Sequence, residues 1–256
     1  MRLIYSFLFF LLIPVALLRL YILGFSVPER RKRWLERLGI YHRSYTQQVI
    51  WFHAVSVGEA EAAFPLIKLI QLRHPDANLL ITTMTPTGSA RVLSVLGSNV
   101  AHVYLPYDIP FIVSRFLTTF KPKLAIIMEK EIWPNLYAQC GNSNIPLFII
   151  NARLSKNSAK NYKNIPSLVI PALNHVRSIM TQTEEDCDHF IAIGAHKNHT
   201  HVQGNIKFDI STPKEIFTEG KKLKEHLFPN RFVWIIASTH KGEDEIFMDI
   251  YKNLKK

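Results

Sequence analysis

The chain has little cysteine, and what it has is not arranged for disulfide bonding or for metal binding. Only two cysteines occur in 256 residues, Cys140 and Cys187, far apart and outside any CxxC pair. Disulfide-held domains carry cysteine at much higher density, and structural zinc sites need closely spaced pairs. The sequence therefore indicates a reducing compartment and no structural metal. His196, His199 and His201 cluster, but without an acidic partner they are weak evidence for a metal site.

Acidic residues are scarce relative to basic ones: 20 Asp and Glu stand against 31 Lys and Arg, a formal net charge of +11. Much of the excess lies in one segment, offset there by Glu29 and Glu36; its basic members are Arg30, Arg31, Lys32, Arg33, Arg37 and Arg43. Such a cluster suits nucleic acid or anionic lipid headgroups. No nucleic-acid motif accompanies it and an apolar segment precedes it, so the sequence favours lipid. Trp34 and Tyr41 suit the headgroup region.

Charge is almost absent from the first 27 residues. Leu3–Leu18 is nearly all apolar, and after Arg19 the segment Leu20–Val27 adds eight uncharged residues. About 20 apolar residues span a bilayer, and an arginine near one end can snorkel. The positive-inside rule then predicts a single-pass anchor over residues 1–27 and a cytoplasmic location for residues 28–256. A cleaved signal peptide fits less well, because no small-x-small site follows the run; a monotopic helix in one leaflet stays open.

After residue 45 apolar strand-like stretches alternate with helix-like ones. The predicted strands are Val49–Val55, Asn78–Thr83, Val100–Leu105, Lys123–Met128, Pro146–Ile150 and Ser178–Thr181. The predicted helices between and after them are Glu59–Arg73, Gly88–Leu96, Pro110–Phe120, Trp133–Cys140 and Glu184–Ile193. This alternation predicts an α/β domain with a Rossmann-like parallel sheet. Polar residues follow each strand, and right-handed crossovers would bring them to one edge of the sheet.

One strand-turn-helix stretch, Val49–Ile70, stands out because it carries a carboxylate at its turn. The apolar run ends at Ser56-Val57-Gly58-Glu59, and a helical pattern follows. In open parallel sheets ligands bind outside the carboxyl ends of the strands. Glu59 would lie near a helix N-terminus, where the dipole favours its ionised form, and is a candidate general base. The alternative is an ordinary acidic residue in a first helical turn.

A further α/β segment begins after residue 210. Lys214–His226 is predicted as a helix, Phe232–Ala237 as a strand and Asp244–Leu254 as the helix that follows it. One such unit cannot close a sheet or bury both of its faces. We expect either the start of a second domain whose remainder is missing or a tail that packs on the first domain.

Nine short motifs follow one another along the chain, and their order is more specific than any one of them. The motifs are RKRWLERLG (Arg31–Gly39), HAVSVGE (His53–Glu59), TTMTPTG (Thr82–Gly88), LPYD (Leu105–Asp108), MEKEIWPN (Met128–Asn135), NARLS (Asn151–Ser155), TQTEED (Thr181–Asp186), GNIKFD (Gly204–Asp209) and ASTHKGE (Ala237–Glu243). In this order they resemble the 3-deoxy-D-manno-octulosonic acid (Kdo) transferases, which modify lipid A in Gram-negative bacteria. The resemblance covers almost the whole chain.

The resemblance implies a GT-B fold in which the N-terminal half handles the lipid A precursor and the C-terminal half binds the donor CMP-Kdo. It implies an inner-membrane anchor at residues 1–27, an acceptor-side domain at 28–210 and the start of a truncated donor-binding domain at 211–256. Cofactors are not expected. The expected partners are the lipid A precursor (lipid IVA), anionic membrane lipids, and CMP-Kdo if a complete donor domain is supplied.

The resemblance also assigns site residues. Glu59 matches the proton acceptor of the family, and Glu129 and Lys207 match two positions that stabilise the transition state. Lys130 departs from the pattern and adds a charge beside Glu129. The family's donor-binding motifs lie beyond the last residues here, so the chain alone is expected not to bind CMP-Kdo. Two alternatives remain: a non-catalytic, membrane-anchored remnant that binds the lipid A precursor, and an unrelated membrane-tethered nucleotide-sugar glycosyltransferase.

Overall fold

A parallel sheet organises the larger part of the chain. The computed structural model describes residues 1–41, 47–209 and 214–254, so Arg43 and the side chain of Arg30 lie outside it. Its strands are β1 (Val49–His53), β2 (Asn78–Thr83), β3 (Ala101–Tyr104), β4 (Pro122–Met128), β5 (Leu147–Ala152), β6 (Val176–Thr181) and β7 (Thr200–Val202). Their spatial order is β3-β2-β1-β4-β5-β6-β7, and every neighbouring pair is parallel. The predicted α/β fold with a parallel sheet is confirmed.

Helices connect the strands and precede the sheet. They are α1 (Arg2–Leu23), α2 (Val57–Arg73), α3 (Pro86–Leu96), α4 (Pro110–Phe120), α5 (Pro134–Asn142), α6 (Lys156–Lys163), α7 (Pro166–Leu173), α8 (Glu184–Ala192), α9 (Lys214–Leu227) and α10 (Glu243–Leu254). Short 3-10 helices occur at Pro28–Arg31, Trp34–Leu38, Gly97–Asn99, Lys197–His199 and Ile206–Asp209. The sequence prediction missed β7, α6 and α7. In α6 the only buried side chain is Ala159, so no apolar stripe announces the helix.

The sheet separates two hydrophobic clusters, one on each face. Along β1, Val49 and Trp51 belong to one cluster, whereas Ile50 and Phe52 belong to the other. All five residues of β1 are buried. A strand covered on both faces has no polar side, which is why this stretch reads as a continuous apolar run.

Arg33 and Glu36 attach the basic segment to the edge of the sheet. The guanidinium of Arg33 pairs with Glu36 (Nε to Oε1, 2.7 Å) and donates to the backbone oxygen of His102 at 2.6 Å. The other carboxylate oxygen of Glu36 accepts the N–H of Tyr104 at 2.8 Å. Both backbone groups belong to β3, the edge strand of the sheet. The segment therefore covers an edge that would otherwise be open to pairing with another chain.

Arg37 and Tyr41 likewise serve the fold. Arg37 is 6% exposed and donates to the backbone oxygen of Met84 at 2.8 Å. The ring of Tyr41 packs edge-on against Phe116 and Phe120, both in the core. The expectation that this part of the basic segment faces lipid headgroups is therefore wrong for Arg33, Arg37 and Tyr41. Arg33 and Arg37 donate instead to backbone oxygens of the domain, and Tyr41 packs against its core.

The chain divides into two compact units, Met1–Ile210 and Ser211–Lys256, and α1 belongs to the first. In the second unit the predicted helices are present as α9 and α10, but the predicted strand Phe232–Ala237 is not a strand. A strand needs a neighbour to pair its backbone groups, and the described residues of this unit, 214–254, supply none. Trp234 instead packs edge-on against Phe247 of α10, with ring centroids 5.8 Å apart.

Replacing Arg33 by Ala should destabilise the fold without weakening membrane binding. The substitution leaves Glu36 unpaired and removes the donor to β3, so we expect a loss of about 1–3 kcal/mol in the free energy of unfolding. Urea denaturation of the detergent-solubilised protein measures it. Lys32→Ala is the matched control, because Lys32 is exposed: it should keep the stability and cost about 1 kcal/mol of binding to anionic vesicles. The reverse pattern would contradict a structural role for Arg33.

Candidate active site

Glu59 lies at the start of α2, directly behind the carboxyl end of β1, which lies beside the central strand β4. Ser56 caps the helix, since its hydroxyl accepts the N–H of Glu59. The side chain of Glu59 turns back toward the strand: Oε2 accepts the N–H of Val55 at 2.7 Å and Oε1 accepts the hydroxyl of Ser56 at 3.2 Å. This reciprocal arrangement is a variant of the capping box, in which the carboxylate accepts the N–H of the residue before the cap. It holds the carboxylate, only 8% of the residue being exposed, in one orientation.

The pKa of Glu59 is raised from 4.5 to about 7, chiefly by burial and further by the negative charges of Glu129 and Glu131. The N–H of Val55 and the hydroxyl of Ser56 act in the opposite direction, but they do not offset the burial. The expectation from the helix dipole was an ionised Glu59, but burial outweighs it and favours the protonated form. The two other carboxylates that raise the pKa come from the loop after β4.

That loop has an unusual backbone. Glu129 has φ of +58°, a left-handed conformation that is uncommon for a residue other than glycine. The loop is held in place by two tyrosines, whose hydroxyls donate to backbone oxygens: Tyr137 of α5 to Glu131, and Tyr162 of α6 to Lys130. Backbone strain of this kind persists where the surroundings over-determine it, and it clusters at functional sites.

Glu131 was part of a sequence motif but was not predicted as a site residue. Burial raises its pKa most, Glu129 raises it further, and the positive charge of Lys130 lowers it. The added charge of Lys130 thus acts on Glu131. The signal that could have found Glu131 is the Glu-x-Glu spacing, which places two carboxylates in one short turn.

Lys207 lies in the 3-10 helix Ile206–Asp209, which packs against α2. The segment is fixed by amides: the N–H of Ile206 donates to Oδ1 of Asn151, and the N–H of Lys207 donates to Oδ1 of Asn205. Gln182 joins them, donating to the backbone oxygen of Asn151 and accepting from Asn205. The side chain of Lys207 is exposed. Among the described residues its ammonium forms no ion pair with the glutamates.

Several other polar residues at this edge bind backbone N–H groups and so stabilise the fold. The carboxylate of Asp108 accepts the N–H groups of Asn135 and Leu136 at 3.0 and 2.8 Å, and burial raises its pKa to about 6. Asp186 accepts the N–H of Leu154 at 2.8 Å. The cap of α3 is Thr85, whose hydroxyl accepts the N–H of Gly88.

A buried histidine stands beside the site at the end of β1. His53 is fully buried, and Nδ1 lies 2.9 Å from the hydroxyl of Thr82, which also accepts the indole N–H of Trp51. Burial lowers the pKa of His53 to about 4, so the ring is neutral at neutral pH. No sequence signal singled it out, because a histidine that ends an apolar strand is read as part of the core. Within the described ranges no group of His, Cys, Asp and Glu side chains is arranged to hold a metal ion.

Residues 32–210 match the family described as 3-deoxy-D-manno-octulosonic-acid transferase (kdotransferase). A 3-deoxy-D-manno-octulosonic acid transferase of Haemophilus influenzae is 38% identical over 255 residues, which are 99% of this chain and 60% of that protein. A probable mitochondrial 3-deoxy-D-manno-octulosonic acid transferase of Arabidopsis thaliana is 32% identical over 88% of this chain and 52% of its own length. The chain thus spans between half and two thirds of these relatives.

Solved structures share the fold. The UDP-GlcNAc 2-epimerase of Neisseria meningitidis bound to UDP-GlcNAc superposes with a TM-score of 0.53 at 18% identity, over 82% of this chain and 62% of that one. Anabaena HepE in complex with UDP and glucose gives a TM-score of 0.51 at 18% identity, over 80% of this chain and 58% of that one. At this identity the likeness concerns the fold alone, which is of the GT-B type.

Glu59→Gln should stabilise the fold at high pH. Below pH 4.5 the carboxyl is protonated in both states; as the pH rises to about 7 the folded state keeps a proton that the unfolded state has lost, so stability falls. Glutamine removes this loss. The raised pKa corresponds to a loss of at most about 3 kcal/mol in the free energy of unfolding. Because solvent screens part of this effect, we expect Glu59→Gln to gain about 1–2 kcal/mol at about pH 8.

Denaturant unfolding of the two proteins at pH about 4 and about 8 measures that gain. The matched control is Glu184→Gln, because Glu184 is an exposed carboxylate at the start of α8. The control should show no extra gain at the higher pH. Equal effects of Glu59→Gln at the two pH values would contradict the raised pKa.

Proposed function

This chain belongs to the Kdo transferase family, and we propose that it carries the acceptor-side half of a transferase that moves Kdo from CMP-Kdo to the lipid A precursor in lipopolysaccharide biosynthesis. The observation that supports this most is the position of Glu59. It lies behind β1, and Glu129 and Glu131 lie behind β4, the two strands between which the strand order reverses. Ligands of open α/β sheets bind at this switch point.

Glu59 is proposed as the general base. The acceptor hydroxyl loses its proton to the carboxylate as its oxygen bonds to the anomeric carbon of Kdo, and the bond from that carbon to the phosphate oxygen of CMP breaks. A base is most effective when its pKa lies near the working pH, and burial with two neighbouring carboxylates brings Glu59 to about 7. The capping box holds the carboxylate in one orientation throughout.

Lys207 is proposed to offset the negative charge that develops on the departing cytidine monophosphate. The side chain of Lys207 is exposed. The backbone segment that carries it is held by hydrogen bonds to Asn151 of β5 and to Gln182, which follows β6. The position of the ammonium group is therefore limited by a fixed backbone. Preorganised charges of this kind stabilise transition states. Glu129 is proposed to favour the positive charge of the sugar in the transition state, or to orient Lys207 or the acceptor; it shares this part of the site with Glu131.

We further propose that the protein works at the cytoplasmic face of the inner membrane. Among the described residues, α1 is the one helix long and apolar enough to cross a bilayer. A lipid acceptor and a water-soluble donor meet naturally at such a surface. Anionic lipids would be attracted by exposed basic residues beside the helix, of which Lys32 is one.

Glu59→Gln should abolish transfer in a complete enzyme. We suggest joining residues 1–256 to the remaining part of the Haemophilus influenzae relative and following the transfer of Kdo to lipid IVA. Loss of a general base should lower the rate by about 10²–10⁴-fold. Lys207→Ala should also lower the rate, whereas Lys156→Ala, an exposed lysine at the start of α6, should not.

Near-normal turnover by the Glu59→Gln chimera would contradict the base assignment. An inactive chimera beside an active Haemophilus enzyme would contradict the proposed activity. Retained binding of lipid IVA by that inactive chimera would favour a lipid-binding remnant.

The rate should rise with pH up to about 7 and then level off, because Glu59 must be ionised to accept the proton. Glu131→Gln removes one of the charges that raise the pKa of Glu59, so the rising limb should move to lower pH. The pH dependence of kcat/KM for the two chimeras tests this. An unchanged limb would show that the limb belongs to another group.

A further inference from the structure

The apolar helix α1 is fastened to the folded domain near its N-terminal end. The hydroxyl of Ser6 accepts from Nδ2 of Asn135 at 3.0 Å, and its own proton is shared between the backbone oxygen of Arg2 at 2.8 Å and Oδ1 of Asn135 at 3.2 Å. One residue earlier, the hydroxyl of Tyr5 is hydrogen-bonded to the buried carboxylate of Asp108. These are polar contacts to groups of the loop after β3 and of α5. They therefore specify one place on the domain, which apolar packing alone would not.

The C-terminal end of α1 is fastened as well. The guanidinium of Arg31 lies 4.3 Å from the ring centroid of Tyr21 and 3.7 Å from that of Phe25, and Nε donates to the backbone oxygen of Tyr21 at 3.2 Å. Gly24 permits this approach, since a Cβ there would lie 2.3 Å from Cγ of Arg31. The chain leaving the helix is thereby folded back against it.

These two attachments decide the orientation of the helix. A helix of 22 residues is about 33 Å long, close to the thickness of the hydrocarbon core of a bilayer. If α1 spanned the membrane, Tyr5 and Ser6 would be separated from the domain by that thickness. In the structure both ends contact the same unit, so both ends lie on the same side.

The opposite side of α1 is an uninterrupted apolar stripe. Its residues recur every three or four positions and each is more than half exposed: Leu3, Phe7, Leu11, Val15, Leu18 and Ile22. Ile4, Leu8 and Leu12 are also more than half exposed, so the apolar surface that α1 leaves uncovered is wider than this stripe. Exposed apolar surface of this extent marks an interaction site, and a helix docked to its domain along one face can offer the rest to the acyl chains of one leaflet. Basic and aromatic groups at its C-terminal end, Arg19, Lys32 and Trp34, suit anionic headgroups.

We propose that α1 is an in-plane membrane helix whose apolar stripe lies in the acyl chains of one leaflet and whose N-terminus stays on the side of the catalytic domain. The occupant of the stripe is the lipid bilayer. The proposal rests on the membrane location given above and replaces the transmembrane anchor predicted from hydropathy and flanking charge. Hydropathy cannot separate the two, because both need about the same number of apolar residues.

The orientation of α1 places the membrane leaflet beside the candidate active site. Asn135, the partner of Ser6, belongs to the first turn of α5, and two residues later the hydroxyl of Tyr137 holds the backbone of Glu131. The leaflet that takes up α1 therefore adjoins the edge of the sheet that bears the carboxylates. A lipid acceptor would reach this edge by lateral movement within the leaflet, without leaving the membrane.

The side on which the N-terminus lies tests the proposal directly. A cysteine in a short Gly-Ser extension before Arg2 is labelled with a membrane-impermeant maleimide, in spheroplasts and in inverted inner-membrane vesicles. The native Cys140 and Cys187 are buried, so the parent protein gives the background. We expect label in inverted vesicles only, the pattern also expected for the control Lys32→Cys. Label of the extension in spheroplasts, with Lys32→Cys protected, would establish a transmembrane span and overturn the proposal.

Carbonate washing of the same membranes keeps this proposal separate from the proposed location. Release of the protein would refute the membrane location itself, whereas retention with label on the outer side would refute only the in-plane helix.

Cross-linking supplies a second test of the docking of α1. Ser6→Cys with Asn135→Cys should join through a short bifunctional reagent in intact membranes, whereas Leu11→Cys with Asn135→Cys, from the exposed stripe, should not. Failure of the first pair to join would contradict docking of α1.

Discussion

The reversal of strand order between β1 and β4 is the constraint on which this site depends. Parallel strands end at one edge, and at the reversal the helices that follow β1 and β4 depart toward opposite faces of the sheet. In folds of this kind the space between two such helices is the usual place for a ligand, and the residues that follow the two strands border it. Glu59 follows one strand, and Glu129 and Glu131 follow the other. Three carboxylates from distant parts of the sequence are thus brought together by topology.

Placing carboxylates close together in a buried position raises the pKa and lowers the stability of the folded state. Burial disfavours ionisation of Glu59, and the charges of Glu129 and Glu131 disfavour it further, which is how the pKa of Glu59 reaches about 7. The folded state loses stability at neutral pH for the same reason. The Val55 N–H and the Ser56 hydroxyl offset part of that loss and hold the carboxylate in place. A carboxylate on an exposed helix end would keep its ordinary pKa and would be a weaker base.

The sequence predicted the parts of this structure that depend on local pattern. Strand β2 and helix α4 have the predicted bounds, because apolar runs and the proline at the start of α4 mark them. Helix α6 was missed because it is polar with one small buried residue, and the strand at Phe232–Ala237 was wrong because pairing depends on a neighbour that local sequence does not report. For the site, motif order identified Glu59, Glu129 and Lys207 as candidates. It did not identify the raised pKa of Glu59, which arises from burial and from charges 70 residues away, or the duties of Arg33 and Arg37 at the sheet edge.

Helix α5 connects the apolar helix α1 to the candidate site. Asp108 accepts the first free N–H groups of α5 and is itself hydrogen-bonded by Tyr5 of α1, so the start of α5 is fixed from both sides. From the same helix Tyr137 reaches the strained loop that holds Glu129 and Glu131. A left-handed glutamate persists only where its surroundings are rigid. The contacts that dock α1 therefore also add rigidity to the loop from which two of the three carboxylates project. A displacement of α1 would reach that loop through the first turn of α5.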